Sequence, residues 1–219
     1  MDWPESPKQA AAIQRWLAAR VERRDRFGAI ATVAGVDVGY DKRLGIARAA
    51  AVVLGFPGLE VRAEAVVEQP VDFPYVPGML SFREVPSALA ALQRLAVRPD
   101  LVLCDGQGLA HPRRFGLACH LGLLADLPTI GVAKSKLIGD YDEPGDERGA
   151  HSPLRHKDEV IGVVLRTRAR VSPLYVSIGY RVSLDTAIEF VLACAPRYRL
   201  PETTRLADRL SKPVKDPQV

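Results

Sequence analysis

At 219 residues the chain has the length of one ordinary globular domain, and 47% apolar residues are enough to fill a sizeable core. Charged residues make up 26% and the net charge is +4, which excludes a disordered or fibrous protein and suits a polyanionic partner without demanding one. Cys104, Cys119 and Cys194 are odd in number and lack CxxC spacing, which argues against a disulfide framework or a zinc site.

The opening residues, MDWPESPKQAAAIQRW, have no basic start followed by an apolar stretch, and no apolar run approaches the roughly 20 residues needed to span a bilayer. The expectation is a soluble, cytoplasmic protein with no membrane partner. Ser6 as N-cap and Pro7 at the first position predict a helix, with Ile13, Trp16, Leu17 and Val21 on its apolar side and Arg15, Arg20, Glu22 and Arg23 on the other. Strands are predicted at 31–38, 47–54 and 59–67, the third alternating Val61, Ala63, Ala65 and Val67 with Arg62, Glu64 and Val66.

A loop with Pro70, Pro74, Pro77 and Gly78 leads to a helix through Leu89, Leu92 and Leu95. Leu101–Cys104 reads as a short strand buried on both faces, 115–124 as a helix, and 129–133 as another strand. Residues 139–156 hold Gly, Pro, Asp, Glu and two His without periodicity and read as a mobile surface loop. Strands at 160–165 and 174–178 and helices at 183–193 and 201–210 follow, and 212–219 reads as a frayed tail. Meandering strands followed by strand–helix alternation predict one α/β domain over 1–219, a mixed central sheet with helices on both faces.

Asp37 and Asp105 sit near the ends of apolar strand-like runs, Thr32–Val36 and Leu101–Cys104. A carboxylate there costs several kcal/mol unless compensated by a basic partner, a turn or a metal. Asp105-Gly106 is also a common turn dipeptide. Glu84 opens a helix and Asp208 lies on an amphipathic one. If the fold converges all four, they make an oxygen-rich site for magnesium or manganese, with Lys134 available to neutralise a phosphate.

Four stretches then carry a resemblance. VAGVDVGY, PYVPGMLSFRE, DGQGLAHPRRFGLACHLG and GVAKSKL occur in this order and together resemble the endonuclease V family, from about Val33 to Asp208. The resemblance implies a ribonuclease-H-like fold and a magnesium-dependent nuclease for deaminated DNA, chiefly deoxyinosine, cutting the second phosphodiester bond 3′ to the lesion. By the match, Asp37 and Asp105 would be the main metal ligands, Glu84 would complete the acidic cluster, Lys134 would contact the scissile phosphate, and Asp208 would ligate metal or position water. Pro74, Tyr75 and Pro77 would form a stiff wedge, with Gly78, Leu80 and Gly106 around the base pocket and His111 positioning DNA or the acids. Arg113 and Arg114 are phosphate-contact candidates. The alternatives are a nuclease of the same fold that prefers inosine in RNA and a lesion-binding module with a silent metal site. A monomer is expected.

Overall fold

A computed structural model of the protein describes residues 3–41 and 43–212. From residue 213 onward, the tail predicted to be frayed lies outside the described residues. The elements run α1 (Pro7–Ala18), β1 (Thr32–Asp41), β2 (Ile46–Gly55), β3 (Val61–Pro70), α2 (Ser81–Arg94), β4 (Leu101–Cys104), α3 (Leu117–Ala125), β5 (Thr129–Ala133), β6 (His151–His156), β7 (Glu159–Leu165), β8 (Leu174–Tyr180), α4 (Leu184–Cys194) and α5 (Glu202–Ser211).

All eight strands join one sheet in the order β3-β2-β1-β4-β5-β8-β7-β6. The β1–β4 and β4–β5 pairs are parallel and the rest antiparallel. This mixed sheet, three meandering strands followed by parallel ones, is the ribonuclease-H-like arrangement.

Strand alternation divides the core into two layers. Val33, Leu101, Leu103, Ile130 and Val132 face one way and pack with Ala187, Ile188 and Val191 of α4 and Ala207 of α5. Ala34, Val36, Val102 and Cys104 face the other way and pack with Val85, Ala88 and Ala91 of α2 and Ala118 and Leu121 of α3. The central strands are therefore apolar on both sides, which is why Leu101–Cys104 carries no polar residue.

Two expectations are corrected. Helix α1 is capped as predicted, Ser6 Oγ accepting from the Gln9 amide, but its buried face is Ala10, Gln14 and Leu17. Trp16 stands 52% exposed. Leu17 and Val21 are buried and Ile13 packs against the core as expected, but Ala10 and the Gln14 amide complete the inner face in place of Trp16, and a hydrophobic pattern registers neither. The second correction concerns 139–156. His151–His156 is strand β6, antiparallel to β7, and Asp140 bridges to Arg155. The stretch before β6 is pinned by the buried Arg166, which donates to the carbonyls of Gly145 (2.5 Å), Pro144 (3.0 Å) and Val171 (2.6 Å). The anchor lies outside the segment, so local composition resembles a loop.

Gly35 marks the closest approach of α5 to the sheet: a Cβ added there would lie 2.0 Å from the Thr203 carbonyl oxygen. Gly35→Ala is expected to lower unfolding free energy by about 3 kcal/mol or more, since backbone must move to admit the methyl. Denaturant titration checks this, and a loss below about 1 kcal/mol would show that α5 does not depend on that contact.

Candidate active site

The site begins with β1. Gly35, Asp37 and Gly39 alternate onto the same face, and α5 lies across it. A Cβ at Gly39 would come 2.6 Å from the Ser211 carbonyl oxygen, so glycine on both sides of Asp37 lets helix backbone settle onto the strand. That contact carries Asp208 and Ser211 to Asp37. Strand β4 runs parallel to β1, and the amide of Asp105 reaches the Val36 carbonyl at 3.3 Å, so the second acid sits beside the first. Strand β5, parallel in turn, ends at Ala133 and presents Lys134 at the same edge. Carboxyl ends of adjacent parallel strands are where open α/β sheets gather ligands.

Carboxylate oxygens of Asp37, Asp105 and Asp208 lie within 4.8 Å of one another. Lys134 Nζ is 2.5 Å from Asp105 Oδ2 and 3.6 Å from Asp208 Oδ1, and Lys212 Nζ is 2.6 Å from Asp208 Oδ2. Burial raises the Asp37 pKa, the hydrogen bond from Ser211 opposes this, and the charges of Asp105 and Asp208 add to the rise. Burial also pushes Asp208 upward, but Lys212 and Lys134 outweigh it and hold that acid below the usual range. Burial works to lower Lys134, while its hydrogen bond to Asp105 and the surrounding acids keep it raised.

Three close carboxylates, one of them poorly compensated, are a donor set suited to a hard divalent cation. Glu84 reaches this neighbourhood from α2, on the other side of the sheet. It is 7% exposed and accepts from the Tyr40 hydroxyl at 3.3 Å. Burial, with the Asp37 charge adding to it, pushes its pKa up to about 8.

Beside the acids lies a pocket of about 370 Å³ whose lining includes Asp105 and Lys134. Tyr75, Pro77, Gly78, Leu80, Gly106 and His111 also line it, whereas Pro74 does not. Tyr75 is 72% exposed at the rim. Its loop is fastened from below by Phe73 and Met79, packed with Phe82 and Ala10. The carbonyl of Gly78, a residue with φ of +74°, accepts from Gln14 Nε2 (3.1 Å), His111 Nε2 (2.9 Å) and Arg113 Nη2 (2.6 Å). His111 Nδ1 accepts from the Arg113 amide at 3.2 Å, which fixes the neutral tautomer with its proton on Nε2. Burial lowers the His111 pKa to about 4, so this histidine is a loop tie rather than a charge. The Gly106 amide already donates to the Cys104 carbonyl at 2.9 Å.

The two arginines considered for phosphate are both engaged internally. Arg113 binds Gln14 and Gly78, and Arg114 binds Glu159 and His156. Sequence reasoning missed Ser211, which donates to Asp37, and Arg199, whose Nη2 holds the Lys134 carbonyl at 3.0 Å. Ser211 follows Asp208 by three residues and so shares its helix face, a signal available in the sequence. Arg199 gives none.

Fold and site together define an α/β protein of ribonuclease-H-like architecture, with an oxygen-rich acidic cluster opening onto a pocket. The family model for Endonuclease V matches residues 15–209, and the chain belongs to the Endonuclease V family, whose members are nucleases. An Endonuclease V from Roseiflexus castenholzii is 57% identical over 209 residues, covering 95% of this chain and 93% of its own. The crystal structure of Endonuclease V from Streptomyces avermitilis superposes with a TM-score of 0.92 at 49% identity, covering 95% of this chain and 92% of that one. Endonuclease V from Ciona intestinalis, solved in complex with a 23mer DNA containing an inosine followed by a ribo-adenosine, superposes at 0.81 with 28% identity, covering 94% of this chain and 96% of that one.

Under the pocket, His120 is stacked on Trp3 (5.5 Å between centroids) and lies 3.2 Å from Ser81 Oγ. Burial lowers its pKa to about 3. The folded state keeps it neutral while the unfolded chain protonates near 6.5, so its contribution to stability is lost as pH falls below that value. Glu84, with its raised pKa, acts in the opposite sense, so the informative quantity is a difference between variants. Between pH 7.5 and 5.5, His120→Phe is expected to gain about 1.4 kcal/mol relative to wild type. Parallel pH dependence of the two proteins in urea titrations would mean that His120 does not titrate on unfolding.

Proposed function

We propose that this chain is a DNA repair endonuclease that nicks strands containing deaminated bases, above all deoxyinosine. In this reading it hydrolyses the second phosphodiester bond 3′ to the lesion, with Mg2+ bound by Asp37 and Asp105 and joined by Asp208. Mn2+ would substitute. The observation that carries the reading is a shared residue: Asp105 belongs both to the acidic cluster and to the pocket wall, and Lys134, ion-paired to Asp105, lines the same pocket. A base lodged in that pocket would leave its own strand running past the acids. The Ciona relative's inosine-containing DNA adds support.

A divalent cation, when bound, supplies Lewis acidity to the phosphoryl oxygens and lowers the pKa of a ligated water. The chain's own groups do the rest. Ser211 holds the Asp37 carboxylate in place, and Lys134, fixed through its carbonyl by Arg199, offers an ammonium to phosphate oxygens. Tyr75, stiffened by flanking prolines, fills the gap left by an extruded base. Flipping costs about a few kcal/mol, least for a weakly paired lesion, and stacking on an aromatic ring returns roughly 1–3 kcal/mol. Gly78 and Leu80 shape the base pocket, and His111 holds that shape through the Gly78 carbonyl. The same reading makes the enzyme a cytoplasmic monomer. Its three cysteines are free and buried, as in a reducing compartment, and no helix among the described residues is long and apolar enough to cross a membrane.

The test is a nicking assay on matched duplexes with and without one deoxyinosine, in Mg2+ or in EDTA. Metal-dependent cleavage one nucleotide beyond the inosine is the expected result. Asp37→Ala and Asp105→Ala should each reduce the rate by about 10³-fold while the circular dichroism spectrum is retained. Near-normal turnover by either variant would remove the proposed metal site. Cleavage confined to inosine-containing RNA would move the substrate assignment to a ribonuclease, and binding without cleavage would leave a lesion-recognition module. Separately, Tyr75→Ala should weaken the preference for inosine over normal duplex about tenfold or more, with little change in stability because the ring is exposed. An unchanged preference would end its assignment as a wedge.

A further inference from the structure

We propose that the outer face of α1 and the segment following it, residues 7–26, dock the phosphate backbone of duplex DNA at a surface separate from the acidic cluster and its pocket. This rests on the DNA-substrate reading above and extends it to a second contact region. Residues 7–26 carry six cations (Lys8, Arg15, Arg20, Arg23, Arg24, Arg26) against two acids (Glu22, Asp25), a balance of +4. That equals the net charge of the entire chain, so the remainder is neutral in sum. All six cations are exposed. Arg23 is paired with Glu159 and Arg26 with Glu22, while Lys8, Arg15, Arg20 and Arg24 have no carboxylate salt-bridge partner among the described residues.

The surface is more than a solvated charge run. Trp16 is exposed, and the Arg20 guanidinium lies 3.5 Å from its ring centroid, held there by a 2.8 Å bond from Nη1 to the Trp16 carbonyl. A guanidinium flattened on an aromatic face keeps its other N–H groups free for phosphate, and the ring is a hydrophobic surface for sugar or base. The inner face of the same helix holds the pocket loop: Ala10 packs with Phe73 and Met79, Val76 joins that cluster, and Gln14 binds the Gly78 carbonyl. Arg15 is close enough for its charge to add to the lowering of the Arg113 pKa that burial begins. Twelve residues of α1 span about 18 Å, roughly five base-pair steps at 3.4 Å each, so the outer face is long enough to follow several phosphates of one duplex.

The test measures equilibrium binding to an undamaged duplex and to a deoxyinosine duplex in EDTA over a series of salt concentrations. The variant Arg15→Ala/Arg20→Ala/Arg24→Ala is compared with Arg62→Ala/Arg94→Ala/Arg168→Ala, which removes the same charge from exposed positions elsewhere. The first variant should lower the slope of log affinity against log salt by about 2 to 3 and weaken binding at least about tenfold, while the second stays near wild type. Trp16→Ala should weaken binding without changing the slope. Equal slopes for the two triple variants would overturn the proposal, since total charge rather than this face would then govern binding. Failure of wild type to prefer inosine would count against the proposed function instead, and the slope on undamaged duplex would still decide the role of α1.

Discussion

Everything at the site depends on how closely one helix can lie on one strand. Helix α5 rests on β1 with its backbone where side chains would otherwise stand, because positions two before and two after Asp37 are glycines. A wider separation would leave Asp208 and Ser211 out of reach of Asp37, and the acidic cluster would reduce to two neighbouring strand ends. The close approach also explains the burial of Asp37. Desolvation by the helix raises its pKa, and the helix itself supplies the hydroxyl that partly offsets this. Charge repulsion among three carboxylates is tolerated because Lys134 and Lys212 flank Asp208 and Lys134 also meets Asp105.

The second constraint is on the pocket loop. A segment rich in proline has few backbone donors with which to hold itself, and here it is held from outside. One carbonyl, Gly78, collects donors from α1 and from the loop after β4, while Phe73 and Met79 sink into an apolar cluster on either side of Tyr75. The result is an exposed ring on a fixed base. Lys134 and Asp105 are similarly placed by strand ends rather than flexible loops, so the cluster and the pocket share a rigid wall.

The fold was largely legible in the sequence because its strongest elements announce themselves by period. Leu101–Cys104 is apolar throughout and Thr129–Ala133 is apolar after its first residue, as strands covered on both faces tend to be, and Ser6-Pro7 marks the start of α1. The acids were legible for a related reason, since Asp37 and Asp105 interrupt or end runs that are otherwise apolar. Less legible was whatever depends on contacts distant in sequence. Strand β6 looked like loop because it is half-exposed and broken by Pro153, and its neighbouring segment is stabilised by Arg166. Trp16 was placed inside by its hydrophobicity, whereas the helix turns Gln14 inward to reach Gly78. Glu84 carried no local sign that it would be buried, because a first-turn acid is ordinary on electrostatic grounds.

The three cysteines have a further implication. Each is buried, and burial pushes the thiols of Cys119 and Cys194 up to about 12 and raises Cys104 as well. Thiolate, the form that oxidants and nitrosating agents attack, is therefore almost absent at neutral pH. With all three cysteines buried and held in the thiol form, the fold presents such reagents with no thiolate at its surface.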